Sequence, residues 1–226
     1  EDGSWLYQHT PAGRFASKPP LAGWISTVLY GLTGAGWWDG AWRVPSLVCG
    51  LLTLGLLWRA GFALFGNNIG ALLAIAAFGL NSFTPRLATL VRTDMMLAFV
   101  TFLLGCVLLE KVRFRDPWEG KDKVLVCCLV FTAMMIKGPI IYIFFFPGFV
   151  LFFLLTRIWK IDWPCYAWSG WWPWLLPLVA FGAWIAGGIS QHGDIFWNQV
   201  AVDEFFRRFE TGNGSKHNTG WFGAYT

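Results

Sequence analysis

The sequence predicts a polytopic all-α transmembrane bundle, and three observations lead to it. Charged residues make up 13% of the chain against 56% hydrophobic ones, whereas a soluble domain carries about 25% charged residues. Aromatic residues reach 19%, with 16 Trp, and indole rings favour membrane interfaces because one edge is apolar and the other takes a hydrogen bond. The apolar residues fall in long runs separated by short polar turns, and mean hydropathy is +0.51.

The elements follow in chain order. Residues 1–20 are polar, with Gly, Pro, His and aromatics, and read as a loop. Residues 21–38 mix apolar residues with glycines and end in Trp37-Trp38, a composition that suits a short helix lying in the interface. Together, residues 1–40 form an outer loop with an interfacial helix. Six spans are expected over residues 41–190: 41–65, 69–90, 95–109, 124–136, 139–155 and 171–189. Gly66-Asn67-Asn68 turns the chain between the first two, and Lys137-Gly138 separates the fourth and fifth. The third and fourth runs are shorter than the ~20 residues a spanning helix needs, a shortfall that snorkelling Lys and Arg at their ends offset. Residues 191–226 read as a second outer loop. Glu1-Asp2-Gly3 carries no initiator Met or signal pattern, and both ends read as cuts through a longer protein.

Orientation comes from the loops. With the start outside, the inner loops collect Arg59, then Lys111, Arg113, Arg115, Lys121 and Lys123, then Arg157 and Lys160, as the positive-inside rule requires. The isolated charges of the turns around Arg92 and Lys137 then open on the other side. The net charge of +4 is scattered between apolar runs, so nucleic acid is not an expected partner. Five Cys show neither metal-ligand spacing nor a disulfide framework. Walker A, GxSxG and HExxH motifs are absent. No inverted repeat of the spans is visible, which disfavours a secondary transporter.

Candidate chemistry collects on the non-cytoplasmic side. In Ser17-Lys18-Pro19-Pro20 the prolines stiffen the backbone, and Lys18 is either an ammonium presented at a defined place or a snorkelling Lys at a helix start. Arg43, in Arg43-Val44-Pro45-Ser46, is either an interface anchor or a guanidinium aimed at a lipid phosphate. Arg86, Arg92, Thr93 and Asp94 surround a turn between spans, where charges face protein or water instead of lipid. Asp94 pairs there with Arg92 or Arg86, or else orients a base or a cation. Lys137-Gly138-Pro139 sets another single Lys beside a chain-turning pair, either a snorkelling Lys or a second cation of the outer face. The last loop holds Asp203, Glu204, Arg207, Arg208 and His217 within 15 positions, either an edge that binds phosphate and metal or an exposed helix and turn.

In order and spacing these pieces resemble a known pattern. Trp5-Leu6, Ser17-Lys18-Pro19-Pro20-Leu21 with Trp24, and Trp42-Arg43-Val44-Pro45-Ser46 are similar to bacterial relatives of the protein O-mannosyltransferases and the aminoarabinose transferases of lipid A, which are GT-C class glycosyltransferases. The similarity continues through Leu64-Phe65-Gly66, Arg92-Thr93-Asp94-Met95-Met96-Leu97, Lys137-Gly138-Pro139 and Phe205-Phe206-Arg207-Arg208-Phe209, then His217, Trp221-Phe222 and Tyr225.

The resemblance implies a GT-C-like bundle that moves a sugar from a polyprenyl-phosphate donor to a lipid or protein acceptor. The setting it implies is a bacterial inner membrane, with the active face towards the periplasm or exterior. It implies Lys18, Arg43, Lys137 and Arg208 as cations on the donor phosphate, with Asp94 and Arg92 in support. The family's catalytic base is the Asp of an Asp-Glu pair, which by spacing falls ahead of Glu1 together with the first transmembrane helix. Glu1-Asp2 has the reverse order and lies too close to Lys18. Many relatives place a metal-holding Glu where this chain has Ser17, and a His where it has Phe205. A divalent metal is therefore the one cofactor in question, with Glu204 and His217 as candidate ligands. A polyprenyl tail needs an apolar groove, which Phe144, Phe145 and Phe146 would line. The alternative from another class is a non-catalytic protein that binds, flips or transports a lipid carrier on the same scaffold.

Overall fold

The computed structural model describes residues 5–9, 13–16, 18–34, 36, 38–160 and 168–206. Among them the regular structure is helical: α1 (Leu21–Thr33), α2 (Trp38–Phe65), α3 (Asn68–Gly79), α4 (Thr84–Thr89), α5 (Asp94–Phe114), α6 (Gly120–Lys137), α7 (Ile140–Ile158) and α8 (Trp172–Phe196), then a π-helical stretch, Trp197–Phe206. Four segments are long and apolar enough to cross a membrane: Asp39–Phe65, Asp94–Phe114, Ile140–Ile158 and Trp172–Val200. This is an all-α membrane bundle.

The other two expected spans are helical as well, one broken into two pieces and one carrying charges at its ends. A continuous helix over 69–90 is expected, but the chain leaves the helix after Gly79 and restarts at Thr84. Asn81 supplies the reason. Its Oδ1 accepts from the Phe83 and Thr84 amides at 2.9 and 2.8 Å, while its Nδ2 donates to the Phe78 carbonyl at 2.6 Å. Such a side chain replaces helical partners with local ones, and Pro85 stands at the start of the new helix, where its missing N–H costs nothing. The two pieces together still run antiparallel to α2. Gly61 faces Ala71, Leu54 faces Gly79, and Gly50 faces Ala88.

The second case is α6, whose 18 residues include Lys121, Asp122, Lys123 and Lys137. It nevertheless lies at the centre of the bundle, packed against α1, α5, α7 and α8. Val126, Val130, Ala133 and Met134 are fully buried, while Val124, Leu125 and Phe131 are exposed, so one face of α6 meets protein and the other is open. The buried residues join Leu104 and Leu108 of α5 and Trp174 and Trp184 of α8 in one core.

Glycine sets how close α2 and α3 come. A Cβ on Gly61 would stand 2.8 Å from Ala71 Cα, a backbone atom that cannot swing away. Small residues at a helix crossing allow this approach. Gly61→Val is therefore expected to lower stability by about 1–3 kcal/mol, read as a lower midpoint of thermal unfolding in detergent.

The first loop is fastened to the bundle. Tyr7 is buried and its hydroxyl donates to the Trp184 carbonyl at 3.1 Å, while Trp184 Nε1 donates to the Leu6 carbonyl at 3.1 Å. Burial pushes the Tyr7 phenol above its ordinary pKa, so it remains a donor. Trp24 Nε1 donates to the Trp5 carbonyl at 2.6 Å, and the Phe15 amide donates to Gln199 Oε1 at 2.8 Å. Gln8 reaches the Pro20 carbonyl at 3.4 Å. The chain therefore enters Lys18-Pro19-Pro20 from a segment held against both α1 and α8. The interfacial helix expected over 21–38 is the shorter α1, ended by Gly34 at φ 81° and packed against α2 and α6.

Candidate functional site

Charges sort to the two ends of the α5–α6 hairpin. At one end Arg59 pairs with Glu110 at 2.8 Å, and Lys111 pairs with Asp122 at 2.6 Å and Asp116 at 3.1 Å. Glu119 and Asp122 form a reciprocal capping box that starts α6 there. At the other end lie Asp94, which begins α5, and Lys137, which ends α6. With 21 residues in α5, the two ends stand about 31 Å apart at the helical rise, close to the ~30 Å of a bilayer's hydrocarbon core. Each charge group thus lies near one membrane boundary.

The Lys137 ammonium donates to the Asp94 carboxylate, and the two side chains are 22% and 30% exposed. The fields of Lys18 and Arg92 act on the same carboxylate. Gly138 at φ 77° lets the chain leave α6 directly after Lys137 and enter α7 past Pro139. Sequence alone offered Arg92 or Arg86 as the partner of Asp94; the side chain that bonds it is Lys137, 43 positions away.

Arg92 belongs to the turn that leads into α5. Its amide donates to the Leu90 carbonyl at 2.8 Å, and its own carbonyl accepts from Ser46 Oγ at 2.7 Å. Ser46 lies on α2 one turn after Arg43, which is exposed. Lys18, Arg43 and Arg92 make no salt bridge among the described residues. The N-terminus of α5 carries no side-chain cap, so first-turn amides add donors to the same place. The whole is a carboxylate held by one ammonium, with further cations around it. Such a set can hold an anion by charge and by directed donors.

Sequence reasoning missed Ser46 as more than part of a motif. Its signal was a hydroxyl directly after a proline inside a helix. The expected cation Arg208 and the expected metal ligand His217 lie outside the described residues, and of Glu204 only the backbone is described. Among the described residues no group of three or more His, Cys, Asp or Glu gathers as a metal site. Of the three phenylalanines expected in a lipid groove, Phe145 and Phe146 turn inward onto Trp174, each with ring centres 5.8 Å away. Phe144 faces outward and is exposed.

The described residues thus form an all-α membrane bundle with a carboxylate–ammonium pair at one end of its α5–α6 hairpin. Residues 17–184 match the model of the dolichyl-phosphate-mannose-protein mannosyltransferase family, and the chain belongs to that family. It is thus a membrane glycosyltransferase of the GT-C type. No curated protein and no solved structure gives a significant match.

Proposed function

We propose that this protein transfers a sugar from a polyprenyl-phosphate donor to a lipid or protein acceptor on the non-cytoplasmic face of a bacterial inner membrane. The observation that carries the reading is the Lys137 ammonium bonded to the Asp94 carboxylate where α5 begins, within the fields of Lys18 and Arg92. In such a transfer the bond between the sugar's anomeric carbon and a phosphate oxygen breaks, and negative charge grows on the phosphate. Fixed cations lower the energy of that state more than of the ground state. Lys18 and Arg43, without salt-bridge partners among the described residues, are available to the phosphate. Lys137 is held in place by its bond to Asp94. Arg208 is assigned to the same phosphate on the resemblance, as is a divalent cation held by Glu204 and His217. The acceptor hydroxyl loses its proton to a carboxylate base, for which the resemblance points ahead of Glu1.

The sidedness rests on charge. Arg59, Lys111, Lys121 and Lys123 belong to the end opposite Asp94, and the positive-inside rule sets that end in the cytoplasm. A polyprenyl tail would then run beside the apolar helices while its phosphate rests at the outer boundary.

The test is transfer of labelled sugar from a polyprenyl-phosphate donor by the protein expressed from its complete gene in membranes. Lys18→Ala is expected to cut transfer by at least about 100-fold and Arg43→Ala by at least about tenfold, without loss of inserted protein. Full activity in both variants would refute the phosphate site. Donor binding without a covalent product in the wild type would instead favour a lipid-carrier binding protein.

A further inference from the structure

We infer that Ser46 is a positioning residue for this site, registering Arg43 of α2 against the Arg92–Asp94 turn; the inference rests on the phosphate-binding reading given above. Ser46 is 1% exposed, and its hydroxyl donates at 2.7 Å to the Arg92 carbonyl, 46 positions along the chain. Other hydroxyls in these helices behave differently. Thr53, Thr89 and Thr132 each donate to the carbonyl four residues earlier in their own helix, at 2.7, 3.0 and 2.7 Å. That back-bond is the usual use of a mid-helix hydroxyl. Ser46 instead reaches out of its helix to the turn that carries two of the site's charged residues.

The acceptor explains why a side chain is needed. In α5 the backbone ladder begins with the Leu97 amide on the Thr93 carbonyl at 3.0 Å. The Arg92 carbonyl stands just outside that ladder, and the Ser46 hydroxyl satisfies it. Positions 43, 46 and 50 are spaced three and four apart, so they form one stripe of α2. At the next turn of that stripe, a Cβ on Gly50 would meet Ala88 Cβ and Met95 Cε, both at 3.3 Å. The stripe therefore lies against the α4–α5 turn, and the Ser46 bond fixes its register. Arg43 sits one turn before Ser46 on the same stripe, so the same bond sets where that turn of α2 stands relative to the Arg92–Asp94 turn. Apolar packing at Gly50 holds the helices together, but it does not specify their axial register as a directed bond does.

The experiment measures kcat and KM for the polyprenyl-phosphate donor in the complete membrane protein. Ser46→Ala removes one oxygen and is expected to lower kcat/KM by about tenfold or more, as small misplacements of catalytic groups do. Ser46→Thr keeps the hydroxyl and is expected to recover most of that loss. The sharper readout is a double-variant cycle. If Ser46 acts through Arg43, then Ser46→Ala costs little more in an Arg43→Ala background than Arg43→Ala alone. A wild-type kcat/KM in Ser46→Ala overturns the inference. So does an unchanged Ser46→Ala penalty in the Arg43→Ala background, the behaviour of a residue that only supports folding. Wild-type rates in Lys18→Ala and Arg43→Ala, with or without a Ser46 effect, would instead overturn the phosphate site and this inference with it.

Discussion

Lys137→Ala is expected to abolish transfer, with a fall of at least about 100-fold, and to destabilise the protein at the same time. The two effects have different causes and can be separated. Removing the ammonium leaves the half-buried Asp94 carboxylate without its hydrogen-bond partner, and an uncompensated charge of that kind costs about 2–3 kcal/mol. Asp94→Asn alone would leave the ammonium without its carboxylate and is expected to lower stability by a similar amount. The double variant Asp94→Asn with Lys137→Met removes both charges and is expected to recover most of the thermal stability, because no charge is left unpaired. It is expected to remain inactive, since the cation is still missing. A purely structural pair would regain activity along with stability, so thermal unfolding and transfer measured on the same three variants distinguish the two roles.

Lys18→Ala should show the opposite combination. Lys18 is exposed and makes no salt bridge among the described residues, so its removal is expected to change stability by no more than about 0.5 kcal/mol. Transfer is nevertheless expected to fall by about 100- to 1000-fold, the range found when one preorganised donor to a developing negative charge is lost. The stiffness of Lys18-Pro19-Pro20 and the anchoring of Tyr7 and Gln8 behind it make the ammonium's place specific. Lys18→Arg is accordingly expected to restore activity only in part, because a longer planar group brings the charge to a different point. Equal loss in Lys18→Ala and Lys18→Arg would mean that position matters more than charge.

Much of this organisation is legible in the order of the amino acids. Runs such as the one in α5 need only apolar length, a property that composition reports directly. The break between α3 and α4 is harder to read, because the apolar run continues on both sides of it. Its cause is one Asn side chain that bonds the Phe83 and Thr84 amides, with a Pro one residue on. The central place of α6 is hidden for a related reason. Lys121, Asp122 and Lys123 fill its first turn and shorten its apolar run, and which of its faces meets protein is decided by how α5 and α8 pack on it.

The site was legible as a set of types and not as a set of pairs. Lys18, Arg43, Asp94 and Lys137 stand out because isolated charges beside apolar runs are costly. Which of them meet depends on how α2, α5 and α6 pack, and the Asp94–Lys137 bond spans 43 positions. Ser46 was still less visible, since a Ser in a helix ordinarily bonds its own backbone. Tyr7 lies 177 positions from Trp184, and no local pattern foretells that contact.

The phosphate site is tested most directly by one measurement: labelled sugar transferred from a polyprenyl-phosphate donor by wild type and by Lys18→Ala, both folded and inserted at equal levels. The expected result is transfer in the wild type and a loss of at least about 100-fold in Lys18→Ala, with thermal midpoints unchanged. Transfer by Lys18→Ala at the wild-type rate would contradict it.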